Sequence, residues 1–78
     1  MRAKVNKLIV TFHTTAGAIA MEKECKKAGI PGRLIPVPRS ITSDCGMSWC
    51  SDPEDRAVIE AFVKEKDMEY AGFYEVLV

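Results

Sequence analysis

The 78-residue chain is poor in the residues that mark several large functional classes. It holds one histidine and three cysteines, with no C-x-x-C pair, too few ligands at metal spacing for a zinc or metal-chaperone site. An odd, irregularly spaced set of thiols also differs from the framework of a disulfide-stapled secreted scaffold, so free thiols in a reducing compartment are expected. Net charge is missing as well. Eleven basic and eleven acidic residues cancel, which leaves no global field to draw the protein onto nucleic acid or an anionic membrane. No run approaches transmembrane length, and the opening residues 1–12 meet a charge every few positions before any apolar run, unlike a signal peptide. A cytoplasmic location is the expectation. Gly-rich phosphate loops, nucleophile elbows and metalloprotease helices are absent too, so no cofactor and no metal is expected.

What remains is an ordinary globular composition, 47% hydrophobic and 28% charged, too short for two cores and read as one domain over residues 1–78. A chain of this size buries only about 60% of its unfolded surface, so a partner or a second copy would help it.

Lys7 to Phe12 alternates, with Leu8, Val10 and Phe12 on one side and Lys7, Ile9 and Thr11 on the other, the pattern of a half-buried strand. Thr14 or Thr15 then caps a helix running to Lys27 or Ala28, with Ala18, Met21, Cys25 and Ala28 on one face and Gly29 ending it. Arg33 to Val37, punctuated by Pro36 and Pro38, suits an edge strand. A long loop follows through Asp44, and Gly46 to Ser51 reads as a third strand. Asp52, Pro53, Glu54 and Asp55 supply an N-cap, a first-turn proline and first-turn acids for a second helix. Its apolar face is expected at Val58, Ala61, Phe62 and Glu65, widened by Ile59 and Val63. Tyr70 to Val78 closes the chain as a strand.

This order predicts an α+β fold of the ferredoxin-like βαββαβ kind: a four-stranded antiparallel sheet with two helices on one face and strands one and three side by side at the centre. Strand one then ends where strand three begins, so His13, Thr14 and Thr15 should neighbour Cys45 and Gly46 where the first helix opens. There the unpaired amides favour a thiolate on Cys45. Arg39 in the same loop could add a full positive charge, Gly46 would let backbone approach what the sulfur carries, and His13 could move a proton. Asp44, next to the thiol, opposes activation, and Cys45 as a small apolar residue at a strand start is an equal reading on chemistry alone. Cys50 lies five strand steps from Cys45, about 16 Å along a strand and on the other face, too far for a disulfide or a shared metal. Cys50 and Cys25 are therefore expected in the core. The sheet face away from the helices is expected to show Ile9, Phe73, Leu77 and either Trp49 or Ile35, a surface on which a homodimer could form.

The segment Ile35-Pro-Val-Pro-Arg-Ser-Ile-Thr-Ser-Asp-Cys-Gly46, with Thr11-Phe-His-Thr-Thr-Ala-Gly-Ala18 and Ala28-Gly-Ile-Pro31, resembles a family of small bacterial selenium or sulfur carrier-like proteins, long known only as a domain of unknown function. The resemblance covers nearly the whole chain, and the proline-arginine to cysteine-glycine segment is its most specific part. It implies a persulfide or selenopersulfide on Cys45, received from a cysteine-desulfurase-like donor and handed to an acceptor enzyme, a carrier rather than a turnover enzyme. Arg39 and Gly46 carry over as flanking motif residues, whereas Trp49 and Cys50 attach to no part of the pattern. The alternative is a non-catalytic ligand-sensing or assembly module that binds an anion or a protein partner.

Overall fold

The structure, a computed structural model, describes residues 6–41 and 46–77. Six main elements follow in order: β1 (Asn6–Thr11), α1 (Thr15–Ala28), β2 (Arg33–Pro36), β3 (Met47–Ser51), α2 (Arg56–Glu65) and β4 (Gly72–Leu77). The strands form one sheet in the order β2-β3-β1-β4, with all three pairings antiparallel. This is the ferredoxin-like arrangement, and β1 and β3 hold its centre.

Alternation along β1 decides the layering. Leu8, Val10 and Phe12 join Ala18, Met21 and Cys25 of α1, Ile59 and Val63 of α2, and Trp49 of β3 in one buried cluster. Full burial of each large apolar side chain stabilises the fold by about 1.5–3 kcal/mol. The ends of α1 follow local chemistry. Thr14 caps the start, its side chain accepting from the Gly17 amide, and Gly29 at φ 75° stops the helix. There the Ile30 amide donates to the Cys25 carbonyl at 2.9 Å, a closure that needs the left-handed backbone a glycine supplies.

Several expectations are corrected. On α2 the buried residues are Ile59 and Val63, while Val58 is 56% exposed; the stripe that meets the sheet is rotated from the one expected. Ala28 is exposed rather than on the buried face of α1. Asp52 does not cap α2. It precedes a 3-10 turn over Pro53–Asp55 without a side-chain capping bond, and its carboxylate lies 2.7 Å from Lys7 Nζ. The strand limits also differ: β1 is shifted one residue earlier, to Asn6–Thr11, Val37 lies outside β2 and Gly46 outside β3, and β4 begins at Gly72 rather than Tyr70, with Val78 outside the described residues.

The far face of the sheet differs most. Trp49 and Phe73 pack on the helix side, because the register sets Val10 opposite both. Leu77 stands an even number of residues from Phe73 and so shares its side of β4; it is 63% exposed. Ile9 and Ile35 do lie on the open face, together with Cys50; Ile41 covers Ile9 and Cys50, and half-buried Val37 and Val76 flank them. Ile9 is fully buried, because the chain after β2 folds back across it.

Candidate functional site

The edge where β1 ends and β3 begins is built from the sheet outward. Thr11 pairs with Ser48 in the β1–β3 ladder, and Thr11 also pairs with Gly72 of β4. Three chain segments therefore meet there: the β1–α1 turn, the start of β3 and the approach to β4. The Ala71 amide donates to the Thr11 carbonyl at 2.7 Å, which draws Met68–Tyr70 against the opening of α1.

His13, Thr14 and Thr15 are all exposed at this opening. The amides there are not left empty. The Glu69 carboxylate accepts from the His13 amide at 2.6 Å, from the Thr14 amide at 3.3 Å and from the Thr14 hydroxyl at 2.8 Å. Thr14 Oγ1 in turn accepts from the Gly17 amide at 3.1 Å. These donors, the Thr14 hydroxyl first and the His13 amide next, hold Glu69 below the usual carboxylate range. A negative charge at a helix N-terminus is stabilised by the amides it faces, so the protein already keeps its own anion there. The amides of Thr15 and Ala16 have no acceptor among the described residues.

Glu69 is the residue that sequence reasoning missed. It lies 55 residues from Thr14 in a connection with no motif. The available signal was topological: in this fold the chain entering β4 arrives beside the end of β1. Gly17 supports the contact, because a Cβ there would stand 2.8 Å from Glu69 Oε1.

Gly46 is exposed with φ 75°, and its carbonyl accepts from the Val37 amide at 3.0 Å. A Cβ at Gly46 would meet nothing within 4 Å, so the glycine is required by backbone conformation and not by crowding. The Val37–Gly46 bond pins both ends of the loop 38–45. Within that loop the Ile41 amide donates to the Pro38 carbonyl at 2.9 Å, a tight turn that carries Arg39 outward, while Ile41 anchors on the open face. Arg39 is exposed and makes no hydrogen bond or ion pair with any described residue. Cys45, with Thr42, Ser43 and Asp44, lies outside the described residues. The structure thus brings His13, Thr14 and Thr15 together with Glu69 on the same sheet edge as Gly46, and leaves Arg39 on a separate turn.

The other two thiols are buried. Burial pushes the Cys25 thiol up to about 11, which suits its place in the helix-side core. Burial also raises Cys50, with Lys7 and Arg33 opposing the rise, but this residue sits on the open face and not in the main core. Among the described residues no group of three His, Cys, Asp or Glu side chains could hold a metal ion, and no helix is long and apolar enough to cross a membrane.

Compared with known proteins, residues 7–75 match the family model described as Putative Se/S carrier protein-like. No curated protein and no solved structure matches the chain.

Proposed function

We propose, since the chain belongs to the Putative Se/S carrier protein-like family, that Cys45 carries sulfur or selenium between a donor and an acceptor in the cytoplasm. The Cys45 thiolate attacks the outer chalcogen of a persulfide or selenopersulfide on a cysteine-desulfurase-like donor. The donor's bond to that atom breaks, the donor cysteine leaves as a thiolate, and the terminal atom stays on Cys45 as an anion. At the acceptor enzyme a nucleophile takes the terminal atom and Cys45 leaves as a thiolate. The protein ends each cycle unchanged, as a carrier does.

The observation that carries this reading is the family match, which spans the loop from Pro38 to Gly46. Geometry supports it in part. Gly46, joined to Cys45 by the peptide bond, lies on the sheet edge where α1 opens, and the Thr15 and Ala16 amides, which have no acceptor among the described residues, are suitable donors to a terminal anion. Arg39, His13, Thr14 and Thr15 complete the proposed anion-binding set. Glu69 works against it, because its charge disfavours a second anion close by; loading and unloading of Cys45 should therefore respond to its removal.

The test is intact mass after incubation with a cysteine desulfurase and either L-cysteine or L-selenocysteine, with and without reductant. Gain of one sulfur or selenium atom, lost on reduction and absent in Cys45→Ser, is the expected result. No reducible adduct on the wild type, or an adduct that persists in Cys45→Ser, would contradict the proposal. Alkylation rate against pH separates it from the assembly-module reading, for which an ordinary thiol pKa near 8.5 is expected.

A further inference from the structure

At the end of the sheet away from Gly46, the open face holds a cavity of about 390 Å3 lined by Lys7, Pro31, Gly32, Arg33, Cys50, Ser51 and Asp52. The ladder explains this set. Arg33 and Ile9 are the partners of Cys50 on its two sides, and alternation places Lys7 and Asp52 on the same face as Cys50. The Ser51 hydroxyl donates to the Pro31 carbonyl at 2.7 Å, which ties the segment before β2 to the end of β3. The volume falls within the range of small-molecule sites, about 300–1,000 Å3.

The charges around the thiol do not balance. Lys7 and Asp52 neutralise each other through their 2.7 Å contact. Arg33 is exposed and has no carboxylate partner among the described residues. A cysteine that is 7% exposed therefore lines a cavity whose surplus charge is one guanidinium. This combination selects a ligand with an anionic group for Arg33 and a sulfur for Cys50.

We propose that this cavity takes a small carboxylate-bearing disulfide, with Arg33 pairing a carboxylate and Cys50 exchanging with the disulfide. Cys50 gives its proton to solvent, and its thiolate attacks one sulfur of the ligand. The ligand's S–S bond breaks as the Cys50–S bond forms. One half stays as a mixed disulfide, so Cys50 is oxidised; the other half leaves as a thiolate, is reduced, and takes up a proton. Burial of Cys50 makes the exchange slow at neutral pH and faster as the pH rises. The site is independent of Cys45 and of the carrier reading.

The test uses the full chain carrying Cys45→Ser, with Cys25 as an internal buried control. Glutathione disulfide, neutral hydroxyethyl disulfide and cationic cystamine are compared at equal concentration, and adducts are located by peptide mass mapping. Cys50 should react with glutathione disulfide at least about fivefold faster than with cystamine at low salt. High salt should shrink that ratio, and Arg33→Ala should bring it close to one while the far-ultraviolet circular dichroism is unchanged. Equal rates for the three reagents, no adduct on Cys50, a ratio untouched by Arg33→Ala, or modification of Cys25 in step with Cys50 would each overturn the proposal.

Discussion

Truncating Ile41 to alanine asks whether the loop that leads to the proposed carrier cysteine is held by packing. Ile41 is 8% exposed and rests on Ile9 and Cys50, with Ile35, Val37 and Val76 around it. The change removes three carbons, at about 0.8 kcal/mol for each buried one, or about 2.4 kcal/mol in transfer free energy. Ile→Ala changes in closed cores run from about 2 to 5 kcal/mol, the upper values belonging to sites that cannot collapse. Ile41 lies in a loop over a sheet, where its neighbours can settle inward, so we expect about 2 kcal/mol. A chain of this length has a total stability of roughly 4–12 kcal/mol, so the loss should be plain. Urea unfolding followed by the fluorescence of Trp49, which sits on the opposite face of the sheet, should show the midpoint falling by about 1–2 M at an unchanged slope. Ile19→Ala is the control, since Ile19 on α1 is 55% exposed and the same atoms should cost within about 0.5 kcal/mol there. A second readout is alkylation of Cys50, which Ile41 covers and which should speed up in the variant. If Ile41→Ala is no more destabilising than Ile19→Ala, the loop is not packed on the sheet and the account of its anchoring fails.

Other substitutions test the neighbouring features. Glu69 titrates below its ordinary value of 4.5 in the fold, so its stabilising contribution is complete above that value and lost as the pH falls through the lowered one. The urea midpoint of Glu69→Gln should therefore lie below that of the wild type at neutral pH, and the two should converge in acid; a gap that stays constant with pH would refute the assignment. The same variant should lower the pH midpoint of Cys45 alkylation, since a negative charge at the mouth of α1 is removed. Thr14→Ala takes away the cap on the Gly17 amide and should destabilise by about 1 kcal/mol in the same unfolding assay. Gly32→Ala should be worse, about 2–3 kcal/mol. Gly32 has φ 148°, and a Cβ there would stand 2.6 Å from the Trp49 ring and 2.7 Å from the Cys50 carbonyl; a wild-type urea midpoint would show that β2 approaches β3 less closely than described.

Much of the fold was legible because its signals are local. The alternation from Lys7 to Phe12, the threonine cap of α1 and the left-handed glycine at position 29 each depend on residues within a few positions of one another. The element order then led to the sheet order, since the βαββαβ succession places β1 beside β3. The errors fall where a helix or strand must choose its inward side among several apolar candidates. On α2, Val58 and Ile59 are adjacent and equally apolar, and only the sheet beneath decides that Ile59 is buried. On β3, Trp49 and Cys50 point to opposite faces, and the placement of the helices determines which of them enters the main core.

The amino-acid order alone settled the succession of elements, the antiparallel sheet and the family, because propensity, periodicity and motif spacing act along the chain. Tertiary structure decided the rest. That a carboxylate from the approach to β4 already sits on the His13 and Thr14 amides at the opening of α1, that Ile41 closes over the open face, and that Cys50 shares a cavity with Arg33 are contacts between segments far apart in sequence. Such contacts exist only once the sheet has set its register, since a slip of one residue would send the strand side chains, Arg33 and Cys50 among them, to the other face.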